Sequence, residues 1–194
     1  MKFLAPLLLA LAATVSSYEL PVGRFYLDKP AAERYAANTG KEITMIQRLN
    51  ATEGTAFDEW LKQIWVSGSN AQLVTPGSGR GLVGYTRLVP SLSIEEQIQS
   101  AGLPDSSKQN GVPTILYKVL KPGMFPLKDH IAFVRFVQEG KQTDIVWTIK
   151  LTPAAEGNAM FKSGEDVAPF LKNAVVNALA DLATKVNAAS ATKN

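Results

Sequence analysis

The last apolar stretch of this chain sets the terms for everything before it. Along Glu165–Val186, the residues Val167, Phe170, Leu171, Ala174, Val175, Ala178, Leu179, Leu182 and Val186 trace one apolar stripe at helical spacing. At 1.5 Å per residue such a helix extends roughly 33 Å, enough to lie across a whole sheet. An amphipathic helix of that length needs an apolar face to cover, and a sheet with one apolar face needs a cover.

The sequence upstream supplies the sheet. Glu42–Leu49 alternates as a strand does, and Gly81–Val89 and Ser93–Ser100 flank a turn at Pro90-Ser91. Thr114–Leu120 follows the polar loop Gly102–Val112 and stops at Lys121-Pro122-Gly123. His130–Gln138 and Thr143–Leu151 flank Glu139-Gly140-Lys141-Gln142, another hairpin turn. Between the first strand and the rest, Phe57, Trp60, Leu61, Ile64 and Trp65 fall on one stripe of a helix spanning Thr55–Trp65. Ser67–Gly81 is rich in Gly and Ser and reads as loop, with Gly77-Ser-Gly-Arg-Gly81 as a lip. The order is strand, helix, five antiparallel strands and one long helix, an α+β grip. Residues 18–41 form an N-terminal extension with one short helix, Ala31–Asn38; the grip domain spans 42–187 and a disordered tail 188–194.

Composition excludes several chemistries. There is no cysteine, so disulfide scaffolds, thiol nucleophiles and thiolate zinc sites are out. His130 is the single histidine, which excludes a two-histidine metal centre; no metal and no cofactor is expected. The net charge of +3, from 20 basic and 17 acidic residues, is too small and too scattered to predict a nucleic-acid partner. Met1–Ser17 opens on one lysine, runs apolar from Phe3 to Ala13 and ends on small residues, the pattern of a secretory signal peptide. The expected location is therefore secreted or in the lumen of the secretory pathway, without stable membrane insertion. Asn50-Ala51-Thr52 is an N-glycosylation sequon, although Thr52 or Thr55 also suits a helix cap.

Strand parity selects the side chains that face the interior. Ile94, Glu96 and Ile98 share one face of their strand, and Ile115, Tyr117 and Val119 share one face of the next. His130, Ala132, Val134 and Phe136 form an uncharged face, with Asp129 and Arg135 opposite. Trp147 lies with Ile145 and Ile149. From the long helix, Phe170 and Ala174 complete the lining. Glu96 in an apolar pocket would disfavour its charged form. Glu96 and His130 together could act as acid and base, with Tyr117 donating a hydrogen bond to a ligand oxygen and Arg87 binding a carboxylate. Blander readings stand beside these: Glu96 as the ion-pair partner of Arg87 across the hairpin, His130 as a polar anchor, and Tyr117, Trp147 and Phe170 as cavity wall or core.

Four segments carry a resemblance. Gly81-Leu-Val-Gly-Tyr-Thr-Arg87, Ser93-Ile-Glu-Glu-Gln-Ile98, Phe125-Pro-Leu-Lys-Asp-His130 and Thr143-Asp-Ile-Val-Trp-Thr148, in this order and followed by the long helix, resemble the polyketide cyclase/dehydrase (SRPBCC) family. That family belongs to the START-like, helix-grip superfamily, which includes the birch-pollen-allergen-like proteins. The resemblance covers about residues 42–186. It implies a curved antiparallel sheet wrapped around the C-terminal helix, with an apolar cavity between them. It also implies a monomer binding a small hydrophobic ligand such as a lipid, sterol or polyketide. The alternative it carries is a cofactor-independent cyclase, dehydratase or isomerase using Glu96, Tyr117 and His130. Similarity to the abscisic-acid receptor branch gives Glu96, Tyr117, His130 and Trp147 the same inward parity. The ligand-lining set is then Arg87, Ile94, Ile98, Ile115, Val119, Ala132, Val134, Trp147, Phe170 and Ala174. No GxSxG, no phosphate loop and no Ser-His-Asp arrangement is present, so hydrolase chemistry is not expected.

Overall fold

The computed structural model describes residues 29–104 and 111–191. The stretch 1–17, where a leader is expected, and most of the polar loop before the strand at Thr114 fall outside the described residues. Helix α1 (Lys29–Ala37) precedes strand β1 (Lys41–Leu49), helix α2 (Glu53–Trp60) and a π-helical turn at Leu61–Val66. Strands β2 (Gln72–Thr75), β3 (Thr86–Val89), β4 (Ile94–Gly102), β5 (Thr114–Lys121), β6 (Leu127–Glu139) and β7 (Gln142–Pro153) follow. Helix α3 (Val167–Ala191) closes the chain. The strands form one antiparallel sheet in the order β1-β7-β6-β5-β4-β3-β2. Among the described residues, no helix is long and apolar enough to cross a membrane.

Three expectations shift. A seventh strand, β2, lies inside the stretch read as loop; its residues are all exposed, so no alternation of burial marks it. Strand β3 begins at Thr86 instead of Gly81, because Leu82 and Gly84 adopt positive φ (52° and 86°) and turn the chain first. Helix α3 runs on to Ala191, so residues 188–191 are helical where a tail was expected. The alanines there favour helix, and the Ser190 hydroxyl donates to the carbonyl of Asn50 at 2.9 Å.

The concave face of the sheet carries the main core. Ile94, Ile98, Ile115, Tyr117, Val119, Ala132, Val134, Phe136, Ile145, Trp147 and Ile149 bury there against α2, the π-helical turn and α3. Inward parity on β4 through β7 is therefore as the sequence predicts. The start of α3 is built by Ser163 and Asp166, which form a reciprocal capping box.

The convex face is covered as well, by the N-terminal extension. Ala31 and Tyr35 of α1 pack on Leu116, Ile131 and Phe133, with Tyr35 and Phe133 rings 5.4 Å apart. Lys150 lies beneath Tyr35, its Nζ donating to the Tyr35 carbonyl at 3.2 Å and standing 4.2 Å from the ring centroid. Asn38 anchors the end of α1 by donating to Asp129 at 2.9 Å. Tyr35→Ala is expected to lower stability by about 2–4 kcal/mol, the usual cost of emptying a large buried site. A urea denaturation midpoint unchanged from the parent chain would show that α1 contributes nothing to the cover.

Candidate functional site

Cross-strand register assembles the interior group. Arg87 on β3 stands opposite Glu96 on β4, Ile98 opposite Tyr117 on β5, Tyr117 opposite Ala132 on β6, and Val134 opposite Trp147 on β7. Because each residue is directly across from the next, their side chains rise from the same face of the sheet.

Arg87 and Glu96 form a buried ion pair, with side chains only 8% and 10% exposed. The Arg87 Nε donates to Glu96 Oε2 at 2.7 Å, and Nη2 lies 2.7 Å from the same oxygen. Its Nη1 donates to the carbonyls of Ile64 at 2.7 Å and Trp65 at 2.8 Å, while the guanidinium stands 4.0 Å from the Trp65 ring centroid. The π-helical turn makes this possible. Widening the helix to i→i+5 bonding, as in Ser67 N–H to the Lys62 carbonyl at 3.0 Å, leaves the carbonyls of Ile64 and Trp65 available to an outside donor. The sequence signalled the apolar stripe but not this widening. Glu96 is thus no isolated acid in an apolar pocket; the ion-pair reading is the one the geometry supports.

Aromatic rings occupy the centre of the concave face. Trp60 stacks on Trp65 at 6.0 Å and meets Trp147 edge-on at 5.1 Å. Tyr117 lies 4.8 Å from Trp65 and 6.1 Å from Trp147, and Phe136 lies 6.4 Å from Trp60. Trp60 and Trp65 entered the sequence reading only as a helical stripe, yet they are the centre of the site. Burial, then the nearby Glu96 charge, pushes the Tyr117 phenol well above its ordinary range, so it is a neutral hydrogen-bonding group.

His130 sits at the edge of this group, 6.2 Å from Tyr117 between ring centroids and 2% exposed. Neither ring nitrogen has a hydrogen-bond partner, and the indole N–H groups of Trp60 and Trp65 are likewise buried and unpartnered. Burial lowers the His130 imidazole to about 4, against the opposing pull of Glu96 and Asp129. The ring is therefore neutral at pH 7.

Two predicted residues stand apart. Phe170 is 36% exposed and belongs to a second aromatic group with Phe125 and Phe161, at 5.8 and 5.4 Å. Ala174 is exposed on α3. The α3 residues that bury are Val167, Ala168, Val175, Leu179, Leu182, Ala183 and Val186, so the helix is rotated from the stripe read off the sequence. Asn50 is exposed at the end of β1; its Oδ1 accepts from Gln142 at 2.6 Å and its N–H donates to Asn187 at 2.9 Å.

A shallow cleft of about 240 Å³ opens beside the interior, with Leu61, Val66 and Leu82 as its apolar lining and Asp58, Lys62 and Arg80 as its polar lining. Leu61 belongs to the concave core and Leu82 packs on it. Arg80, from the Gly-rich lip, spans the cleft to Asp58 of α2 at 2.6 and 2.9 Å.

No family model matches the chain. No curated protein matches it either. Solved structures do. The crystal structure of Ara h 8.0201 matches with a TM-score of 0.53 at 11% identity, over 75% of this chain and 97% of that one. XoxI from Bacillus cereus matches with a TM-score of 0.50 at 13% identity, over 75% and 94%. A protein from Nitrosospira multiformis matches with a TM-score of 0.50 at 15% identity, over 77% and 99%. With its curved seven-stranded antiparallel sheet and long C-terminal helix, the chain has the birch-pollen-allergen-like helix-grip fold.

Proposed function

We propose that the concave interior binds a small hydrophobic ligand bearing an oxygen acceptor. The observation that carries this reading is the set of buried polar atoms without partners: both His130 ring nitrogens and the indole N–H groups of Trp60 and Trp65. An unpartnered buried donor costs about 1–3 kcal/mol, and an oxygenated apolar ligand would relieve several at once. The cleft at Leu61 and Leu82 supplies a route inward, with the Arg80–Asp58 pair across its mouth.

Catalysis is the weaker reading. A cyclase, dehydratase or isomerase would need Glu96 and His130 to exchange protons, and Arg87 already engages the Glu96 carboxylate. A second reading has one specific observation in its favour. The rings of Trp60, Trp65, Tyr117 and Trp147 touch one another, so the interior of the free chain is filled, as in a protein that works through its surface.

All three tryptophans lie in the interior, so intrinsic fluorescence reports on it directly. Titration with 8-anilinonaphthalene-1-sulfonate is expected to give saturable energy transfer from tryptophan at one probe per chain, displaced by an apolar ketone such as progesterone. Absence of both transfer and tryptophan perturbation would reject the binding reading in favour of the filled interior. Secretion and glycosylation belong to the same proposal, supported by the leader pattern at Met1–Ser17 and the exposed sequon at Asn50. From a eukaryotic secretory host, the product should begin near residue 18 and lose mass on endoglycosidase treatment; Asn50→Gln should remove that loss.

A further inference from the structure

A fork in the sheet opens at the edge of the concave group, beside His130. The ladder between β5 and β6 runs from Thr114↔Arg135 to Lys118↔Ile131 and then stops, although both strands continue in pairing with their outer neighbours. Beyond that point Val119–Lys121 and Leu127–His130 face each other without being bridged. Both strands are irregular here: on β6 the register slips between Leu127 and Asp129, leaving Lys128 as an extra residue, and opposite Glu95 and Glu96 of β4 the register of β5 slips at Leu120. The opening is a cavity of about 130 Å³.

Its lining is two-sided. Val119, Leu120 and Leu127 are apolar, whereas Lys118, Lys128, Asp129 and His130 are polar. Asp129 is already engaged, by Lys118 at 3.1 Å and by Asn38 at 2.9 Å. Lys128 is exposed and has no ion-pair partner among the described residues. At the inner end is His130, with two ring nitrogens and no partner for either. A cationic mouth, an apolar wall and an unsatisfied imidazole together suit a small amphipathic anion. A cavity of similar size holds benzene, so the occupant has about six non-hydrogen atoms.

We propose that the fork between β5 and β6 binds a small organic acid, its carboxylate held by Lys128, Lys118 and His130 and its hydrocarbon part laid on Val119, Leu120 and Leu127. This site meets the concave interior at His130, and the experiment is chosen to tell an acid held in the fork from one held in the interior.

The sole histidine makes the test direct. The ¹⁵N-labelled chain is titrated with butyrate at pH 7 and constant ionic strength while the two imidazole nitrogens are followed by long-range ¹H–¹⁵N correlation. The expected result is a saturable shift of His130 with Kd of about 1 mM, within the affinity a ligand of six heavy atoms can reach. Lys128→Glu should weaken it roughly fivefold, since an exposed charge contact of this kind is worth up to about 1 kcal/mol. Butyramide, the neutral counterpart, should not compete. Shifts that stay linear to about 50 mM butyrate, or that butyramide reproduces, would overturn the proposal. So would binding that perturbs the tryptophan indole signals and ignores Lys128→Glu, because it places the acid in the concave interior.

Discussion

Arg87→Ala is expected to destabilise the chain by about 3–5 kcal/mol, the range for removing one partner of a buried ion pair. The loss has more than one part. Glu96 would be left buried without its partner, and the carbonyls of Ile64 and Trp65 would lose the donor that holds the π-helical turn against the sheet. Trp65 would also lose the cation over its ring. Replacing both partners at once, Arg87→Met with Glu96→Leu, should recover most of the Glu96 part but not the carbonyl part. Urea unfolding of the parent, Arg87→Met, Glu96→Leu and the double variant, read as a double-mutant cycle, measures the coupling. A coupling energy near zero would mean that the pair is held by the fold and contributes no stability to it.

The second large effect is a dependence on acid. The His130 imidazole is held at about 4 in the folded chain by burial, against an ordinary value of 6.5. Below pH 6.5 the unfolded chain therefore takes up a proton that the folded chain refuses. The contribution is complete above pH 6.5 and is lost as pH falls towards 4, at about 1.4 kcal/mol per pH unit, or about 3 kcal/mol over the window. Ordinary carboxylates titrate at the low end of this range, and burial raises Glu53 towards it, so His130 should dominate the upper part. His130→Leu should flatten the dependence of the urea midpoint between pH 6.5 and 4.5. An undiminished slope in that variant would assign the acid sensitivity to other groups.

The inward set was readable because a strand alternates with a period of two, so a single apolar residue fixes the face of its neighbours. Glu96, Tyr117, His130 and Trp147 were placed in this way, and all four are buried. The long helix was legible as an element but not in its rotation. Alanines at 168, 174, 178 and 183 weigh little in an apolar stripe, so nothing distinguished the buried Ala168 and Ala183 from the exposed Ala174. Two kinds of feature left no trace. Strand β2 has no buried side, and the π-helical turn preserves the apolar residues of an α-helix while changing which carbonyls are free. The aromatic filling of the interior could have been suspected from three tryptophans in so short a chain. Their meeting depends on Trp60 lying against Trp147 of β7 and Trp65 against Tyr117 of β5, a tertiary fact with no local signature.

Among the described residues, strand β1 finds its only neighbour in β7, with Lys41 opposite Leu151, so the earliest of these strands pairs with the latest. Such contacts, roughly 100 residues apart in sequence, raise the mean contact separation and slow folding. During synthesis and any export, β1 emerges long before its partner and waits unpaired. Helix α1, whose contacts on Ile131 and Phe133 also lie far downstream, waits with it. The sheet therefore closes late, and a chain stopped short of β7 would leave β1 without the partner it pairs with.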